Sequence, residues 1–276
     1  MELNLLVNTI KNIVSEDTQV DIQNVQKGNV ILTGITIGKG NIRPVVYVEH
    51  YEDLFNVKGY LEVAKKMIEI CEDVSKDNMD FDIDAMTTWE YAKENLMLCI
   101  APAGTNQDIV TVPYLDLELY FRVKVKDGTY KVKEHMLQLW GITVAQLLDI
   151  ASENKYTVTS MMEKMFKLME MEEYIEEMKD AIENDTMTIL TNEDGLYGAS
   201  AIYNKEILKG IADKHESDLY IMPSSIHEVL LTPTKIGSLA DMSEMVKSVN
   251  ETEVAPDEIL SDHVYIFHRD TMEIDW

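Results

Sequence analysis

The sequence predicts an α+β protein in which antiparallel sheet packs on amphipathic helices. Leu115 to Lys126 alternates apolar and polar residues with a strict period of two, and the dipeptide Asp127-Gly128 after it is a hairpin signal, so the sheet there is antiparallel. Elsewhere apolar residues recur at helical spacing: at the N-terminus, from Tyr60 to Cys71, from Met162 to Met169 and from Leu239 to Val246. Two S/T-x-x-E/Q patterns, Thr143 with Gln146 and Ser160 with Glu163, open helices between strand-like runs.

In chain order, Leu3, Leu6, Val7, Ile10, Ile13 and Val14 form the apolar stripe of a first helix. Val20–Val25 and Val30–Ile37 flank Lys27-Gly28-Asn29 and predict a hairpin, and Val45–Val48 after Pro44 predicts a further strand. Tyr60, Ala64, Met67, Ile68 and Cys71 mark a second helix, Ser75 to Asp84 an acidic exposed loop, and Thr88 to Asn95 a shorter helix. Leu115–Lys126 then pairs with a return strand from Tyr130 to Glu134, its polar positions facing water. Trp140-Gly141 closes that sheet, and Val144–Ala151 is helical. The stripe Met162, Met165, Phe166 and Met169, continued by Tyr174, Met178 and Ile182, is expected to pack on a core; a groove for a partner peptide is the alternative, since flexible methionines adapt to varied surfaces. Met187 to Pro233 follows as a strand, a turn at Asn192-Glu193-Asp194-Gly195, small residues at 198–201, a helix, and two short strands about Pro223. A helix from Ser238 to Val249 and a strand from His263 to His268 end the series.

The 276 residues can bury one large core or two modest ones. A break near Asn154–Tyr156 divides the chain into 1–155, an α+β region with antiparallel hairpins, and 156–276, with helices and a smaller mixed sheet. Fifty acids against 24 bases give a formal net charge of −26, and arginine occurs only at 43, 122 and 269. Such a chain repels phosphate backbones and lacks the guanidinium forks that grip them, so direct nucleic-acid binding is disfavoured. Cys71 and Cys99 belong to no CxxC pair and are expected as small buried hydrophobes. The N-terminal stripe is amphipathic with an acid at Glu2, unlike a signal peptide, and no apolar run is of membrane-spanning length, so a cytoplasmic location is expected.

Pro223-Ser224-Ser225-Ile226-His227-Glu228, with Asp262 and His263 further on, is the one cluster offering a serine, a base and an acid. Nucleophilic catalysis needs the hydroxyl within reach of an imidazole that a carboxylate orients. Yet Gly195-Leu196-Tyr197-Gly198 holds no serine between its glycines, and no GxSxG elbow occurs. A corner between two strands explains the order without chemistry. His227, Glu228, Asp262, His263 and His268 could ligate a metal, but their spacing fits no HExxH or facial-triad pattern, and His263 and His268 would point to opposite faces of a strand. Gly195 and Gly198 belong to neither a P-loop nor a GxGxxG motif, so no cofactor and no metal are expected.

Leu190 to Pro233, Trp140-Gly141-Ile142-Thr143 and Asn250 to Pro256 resemble a family of uncharacterised bacterial proteins from anaerobic Gram-positive gut organisms, a domain of unknown function. Tyr197-Gly198-Ala199-Ser200-Ala201, Leu219 to Val229 and Asp262-His263-Val264-Tyr265 carry the resemblance, which spans most of the chain. It implies no catalytic residue. The expectation is therefore an interaction or regulatory protein with a protein partner, a basic one suiting its charge; counter-defence or nucleic-acid mimicry is a special case, and self-association is compatible with it. The alternative is a hydrolase using Ser224 or Ser225, His227 and Asp262, with Glu228 and His263 as further candidates.

Overall fold

Leu6, Val7 and Ile10 are buried on one side of α1 (Leu3–Ile13), as the apolar stripe requires. β1 (Gln19–Lys27) and β2 (Val30–Gly38) form an antiparallel hairpin in the register Lys27↔Val30, and β3 (Val45–Tyr47) adds to β2. α2 (Glu52–Lys76) is interrupted at Gly59, whose φ of 72° is open to glycine at little cost; the helix predicted from Tyr60 is thus preceded by about two further turns before the kink. Val63, Met67 and Cys71 of α2 close a core with α1 and with Ile35 and Ile37 of β2. Burial pushes the Cys71 thiol up to about 11, so it behaves as a small hydrophobe.

This first unit is Met1–Ile83, and a second comprises Asp84–Trp276. The structure, a computed structural model, describes residues 1–27, 30–39, 43–76, 87–126, 128–223 and 225–276. The predicted turn at Gly28-Asn29 and most of the predicted loop from Ser75 to Asp84 lie outside the described residues, as does Asp127.

The second unit begins with α3 (Trp89–Glu94), whose first turn is capped by the Thr88 side chain. An antiparallel sheet follows, in which β6 (Leu117–Val125) lies between β4 (Leu96–Pro102) and β5 (Thr111–Tyr114) and also pairs with β7 (Gly128–Lys131). The alternation of β6 holds, but the first half of its polar face is not solvated; only toward its end do Arg122 and Lys124 reach the surface. Glu118 and Tyr120 are buried. The Glu118 carboxylate accepts from the backbone N–H groups of Gly104 and Asn106, both at 2.9 Å, and so organises the 103–106 loop over that face. Tyr120 packs with Cys99 and Ala101. Val125 pairs with Gly128, so Gly128 opens β7 instead of occupying the turn.

α4 (Glu134–Trp140) ends at Gly141 in the left-handed conformation (φ 66°), and the capping box of Thr143 and Gln146 opens α5 (Val144–Ser152). A second sheet contains β8 (Tyr156–Ser160), β9 (Thr188–Asn192), β10 (Leu219–Met222), β11 (Val229–Pro233), β12 (Tyr265–Phe267) and β13 (Ile274–Asp275), in the order β13-β12-β10-β11-β9-β8. Expected to be small and mixed, this sheet has six strands in antiparallel pairs. α6 (Met161–Leu168) and α7 (Lys179–Glu183) lie between β8 and β9, α8 (Lys205–His215) precedes β10, and α9 (Leu239–Thr252) follows β11. One core runs through both sheets, from Leu98 and Phe121 to Leu190, Leu231 and Phe267. The boundary expected at 155/156 falls inside this unit. Asn154 shows why: its amide accepts from Leu98 N–H at 2.7 Å and donates to Leu96 C=O at 2.9 Å, tying the place of the expected break to β4.

Candidate functional site

Residues 198–201 are small because three segments meet on them. The chain enters through Tyr197 in the left-handed conformation (φ 59°) and makes a buried 3-10 turn over Gly198–Tyr203. A Cβ on Gly198 would stand 2.2 Å from Thr191 Oγ1, 2.4 Å from the Asn192 amide nitrogen and 2.8 Å from the His227 carbonyl oxygen. Ser200 is fully buried and donates to Leu98 C=O at 2.7 Å, joining this turn to β4.

His227 lies on the other side of the same junction. Tyr197 N–H donates to its Nδ1 at 3.1 Å, which places the ring proton on Nε2, 3.4 Å from Glu258 Oε1. Its carbonyl accepts from Thr191 Oγ1 at 2.7 Å, and its amide donates to Ser225 Oγ at 3.1 Å. The Tyr197 ring packs tilted against the imidazole, and the Arg122 guanidinium stands 4.6 Å from the Tyr197 ring centroid. Glu258 also accepts from Ile226 N–H through its carbonyl at 2.9 Å. The Nδ1 lone pair is therefore committed to a backbone donor, and Ser225 bonds the amide of His227, not its ring. This is the geometry of a locked corner.

The remaining candidates enter separate networks. Glu228 takes Lys164 Nζ with both carboxylate oxygens, at 2.9 and 2.7 Å. Asp262 Oδ1 accepts from the Asn250 amide at 2.8 Å. His263 Nδ1 meets Asp116 Oδ2 at 2.7 Å, while Tyr265 OH donates to Asp116 Oδ1 at the same distance. His268 lies between Asp218 (3.2 Å from Nδ1) and Asp275 (2.9 Å from Nε2). The strand expected from His263 to His268 is only Tyr265–Phe267, and both histidines lie beyond its ends. Ser224 lies outside the described residues. Among the described residues no group of three or more His, Cys, Asp or Glu side chains could hold a metal.

Sequence reasoning missed Asp116, Glu258 and Tyr197. Asp116 was hidden in the alternating pattern; in the structure it follows Leu115, whose φ of 56° turns the chain between β5 and β6. The ring of His263 stacks with Trp276 at 5.5 Å, and both line a hollow of about 230 Å³ together with Ser243, Lys247 and Asp262. No partner holds His263 Nε2 among the described residues. Asp116 and His263 are thus a carboxylate-oriented imidazole with one nitrogen unengaged.

The methionine-rich stripe departs from expectation. α6, the 3-10 turn Glu172–Tyr174 and α7 contain no buried residue. Of the expected stripe Met165, Met169, Tyr174 and Met178 are exposed, as is Leu168, while Met162, Phe166 and Ile182 are half-buried. Glu170, with φ 55°, ends α6 and turns the chain, so the stripe is carried by successive short segments and not by one helix facing inward.

Among the described residues no helix is long and apolar enough to cross a membrane. No curated protein and no solved structure matches the chain. Residues 3–269 match the family model DUF5688, a family of unknown function, and the chain belongs to that family.

Proposed function

We propose that this is an acidic interaction or regulatory protein of the bacterial cytoplasm that docks a basic protein partner, with nucleic-acid mimicry or counter-defence as the special case. Its charge of −26 carries the reading. That figure already counts every Lys and Arg, and Arg43, Lys124, Lys164 and Arg269 each lie against an acid of the same chain. A surface of one sign attracts the opposite sign, repels nucleic acid and accelerates encounter with a basic protein. Affinity capture with the full chain from native-cell extract, at about 0.1 M and about 1 M salt, tests this, since screening shortens from about 10 Å to about 3 Å. Lys- and Arg-rich proteins should be enriched and released at the higher salt. Capture without basic bias, or tight binding of duplex DNA in a gel shift, overturns the reading.

One observation favours a second reading, a hydrolase: the Asp116–His263 pair beside the hollow at Trp276, rather than Ser225, His227 and Asp262, where Ser225 Oγ takes the backbone amide of His227 and Asp262 bonds Asn250. In such a site Asp116 holds the imidazole and His263 Nε2 accepts a proton. The first reading expects no turnover of a panel of esters. Turnover that His263→Gln abolishes, with the melting temperature unchanged and His227→Gln still active, replaces the first reading with the second.

A further inference from the structure

We propose that the exposed apolar residues of Met165–Met178 form the docking site for a basic amphipathic helix. This rests on the reading of the protein as an interaction protein and names where and what it binds. Leu168 is 74% exposed, Met169 59%, Met165 47%, Tyr174 43% and Met178 39%. Five large apolar side chains left in water within fourteen residues are not the scattered exposure of an ordinary surface.

The residues between them define the partner. Glu170, Glu172, Glu173, Glu176, Glu177 and Asp180 are all exposed. The two lysines of α6 are already paired, Lys164 with Glu228 and Lys167 with Glu163. The segment is therefore apolar at Met165, Leu168, Met169, Tyr174 and Met178 and acidic between them, while exposed Lys179 and Asp180 offset each other at its end. Its complement is a helix with an apolar stripe flanked by Lys and Arg, recognised through anchors at i, i+3, i+4 and i+7. Methionine suits this use: unbranched and polarizable, it repacks around stripes of differing shape. An anionic membrane surface meets the wrong sign here, and so does a second copy of the chain, whose net charge is −26.

The probe is a synthetic helix of about 18 residues, five turns, with Leu at the stripe positions and Lys elsewhere; a Leu/Glu peptide of the same pattern is the control. Binding to the full chain is followed by fluorescence anisotropy and by the methyl NMR signals of the methionines. The Leu/Lys peptide should bind, gain helicity and shift Met165, Met169 and Met178. The triple variant Met165→Ser, Leu168→Ser, Met169→Ser should weaken it at least about tenfold. Charge reversal at Glu173, Glu176 and Glu177 to Lys, which leaves the apolar patch intact, should do the same. Equal binding by both variants, or methyl shifts confined to other methionines, overturns the proposal. Self-association of the wild type that the triple variant abolishes makes a second copy the occupant and also overturns it. If the triple variant still captures basic proteins in a salt-sensitive way, the general reading stands and this site falls. If the model peptide binds here while extract yields no basic partner, the site stands and the general reading falls.

Discussion

At Gly198 one missing methyl group decides whether three segments can meet. Two of the atoms that a Cβ would strike, Asn192 N and His227 O, are backbone and cannot rotate aside. Gly198→Ala should therefore cost about 3 kcal/mol or more, seen as a lower urea midpoint with a similar slope, and an unchanged midpoint would show that the junction is not packed as described. His268 offers a second test at this scale. Its hydrogen bonds to Asp275, the larger effect, and to Asp218 raise its pKa above the usual value. A raised folded-state pKa means that the unfolded chain loses its proton first, so the stabilisation is complete below about pH 6.5 and fades as pH rises through the folded value. His268→Gln should thus lower the melting temperature at about pH 5.5 and make little difference at about pH 9. A gap that is the same at both pH values would mean that the imidazole acts by packing, not by charge.

At the scale of elements, β6 shows how a strand can obey its pattern and still be covered on both faces over its first half. Alternation places Glu118 and Tyr120 opposite Leu117 and Leu119, but the 103–106 loop and β4 shield them. A buried carboxylate is tolerable there because backbone donors satisfy it. The hairpin that follows yields a reversal of expectation. From the sequence, Gly128 is a turn residue needing positive φ, and valine there should be harmful. In the structure Gly128 begins β7 opposite Val125, it has no positive φ, and a Cβ on it meets nothing within 4 Å. Gly128→Val should therefore change stability by no more than about 0.5 kcal/mol in denaturant melts. A loss above about 2 kcal/mol would return the glycine to the turn.

At the scale of the whole molecule, each unit has its own core: the buried apolar cluster of the first is drawn from α1, β1, β2, β3 and α2, and the large cluster of the second from residues beyond Trp89. A stretch of chain with a complete core can fold alone. The fragment 84–276 should therefore melt cooperatively by calorimetry, whereas a fragment beginning at 156 should not, because it lacks β4 and β6. A cooperative transition in the shorter fragment would restore the division at 155/156.

What the amino-acid order determined by itself is the set of local features: the stripe of α1, the alternation of β6, the capping box at Thr143, the N-cap at Ser160, and the antiparallel α+β class. These depend on neighbours a few residues away, and periodicity records them directly. Family resemblance was legible for the same reason, in contiguous runs such as Tyr197 to Ala201 and Leu219 to Val229. Only the tertiary structure decided which polar side chains meet. Asp116 and His263 are 147 positions apart, His227 takes its bond from Tyr197 30 positions away, and Asn154 reaches back to β4 across 56. It also decided that Met165, Met169, Tyr174 and Met178 of the methionine stripe are left exposed, because helical spacing marks an apolar face but does not supply a neighbour to cover it.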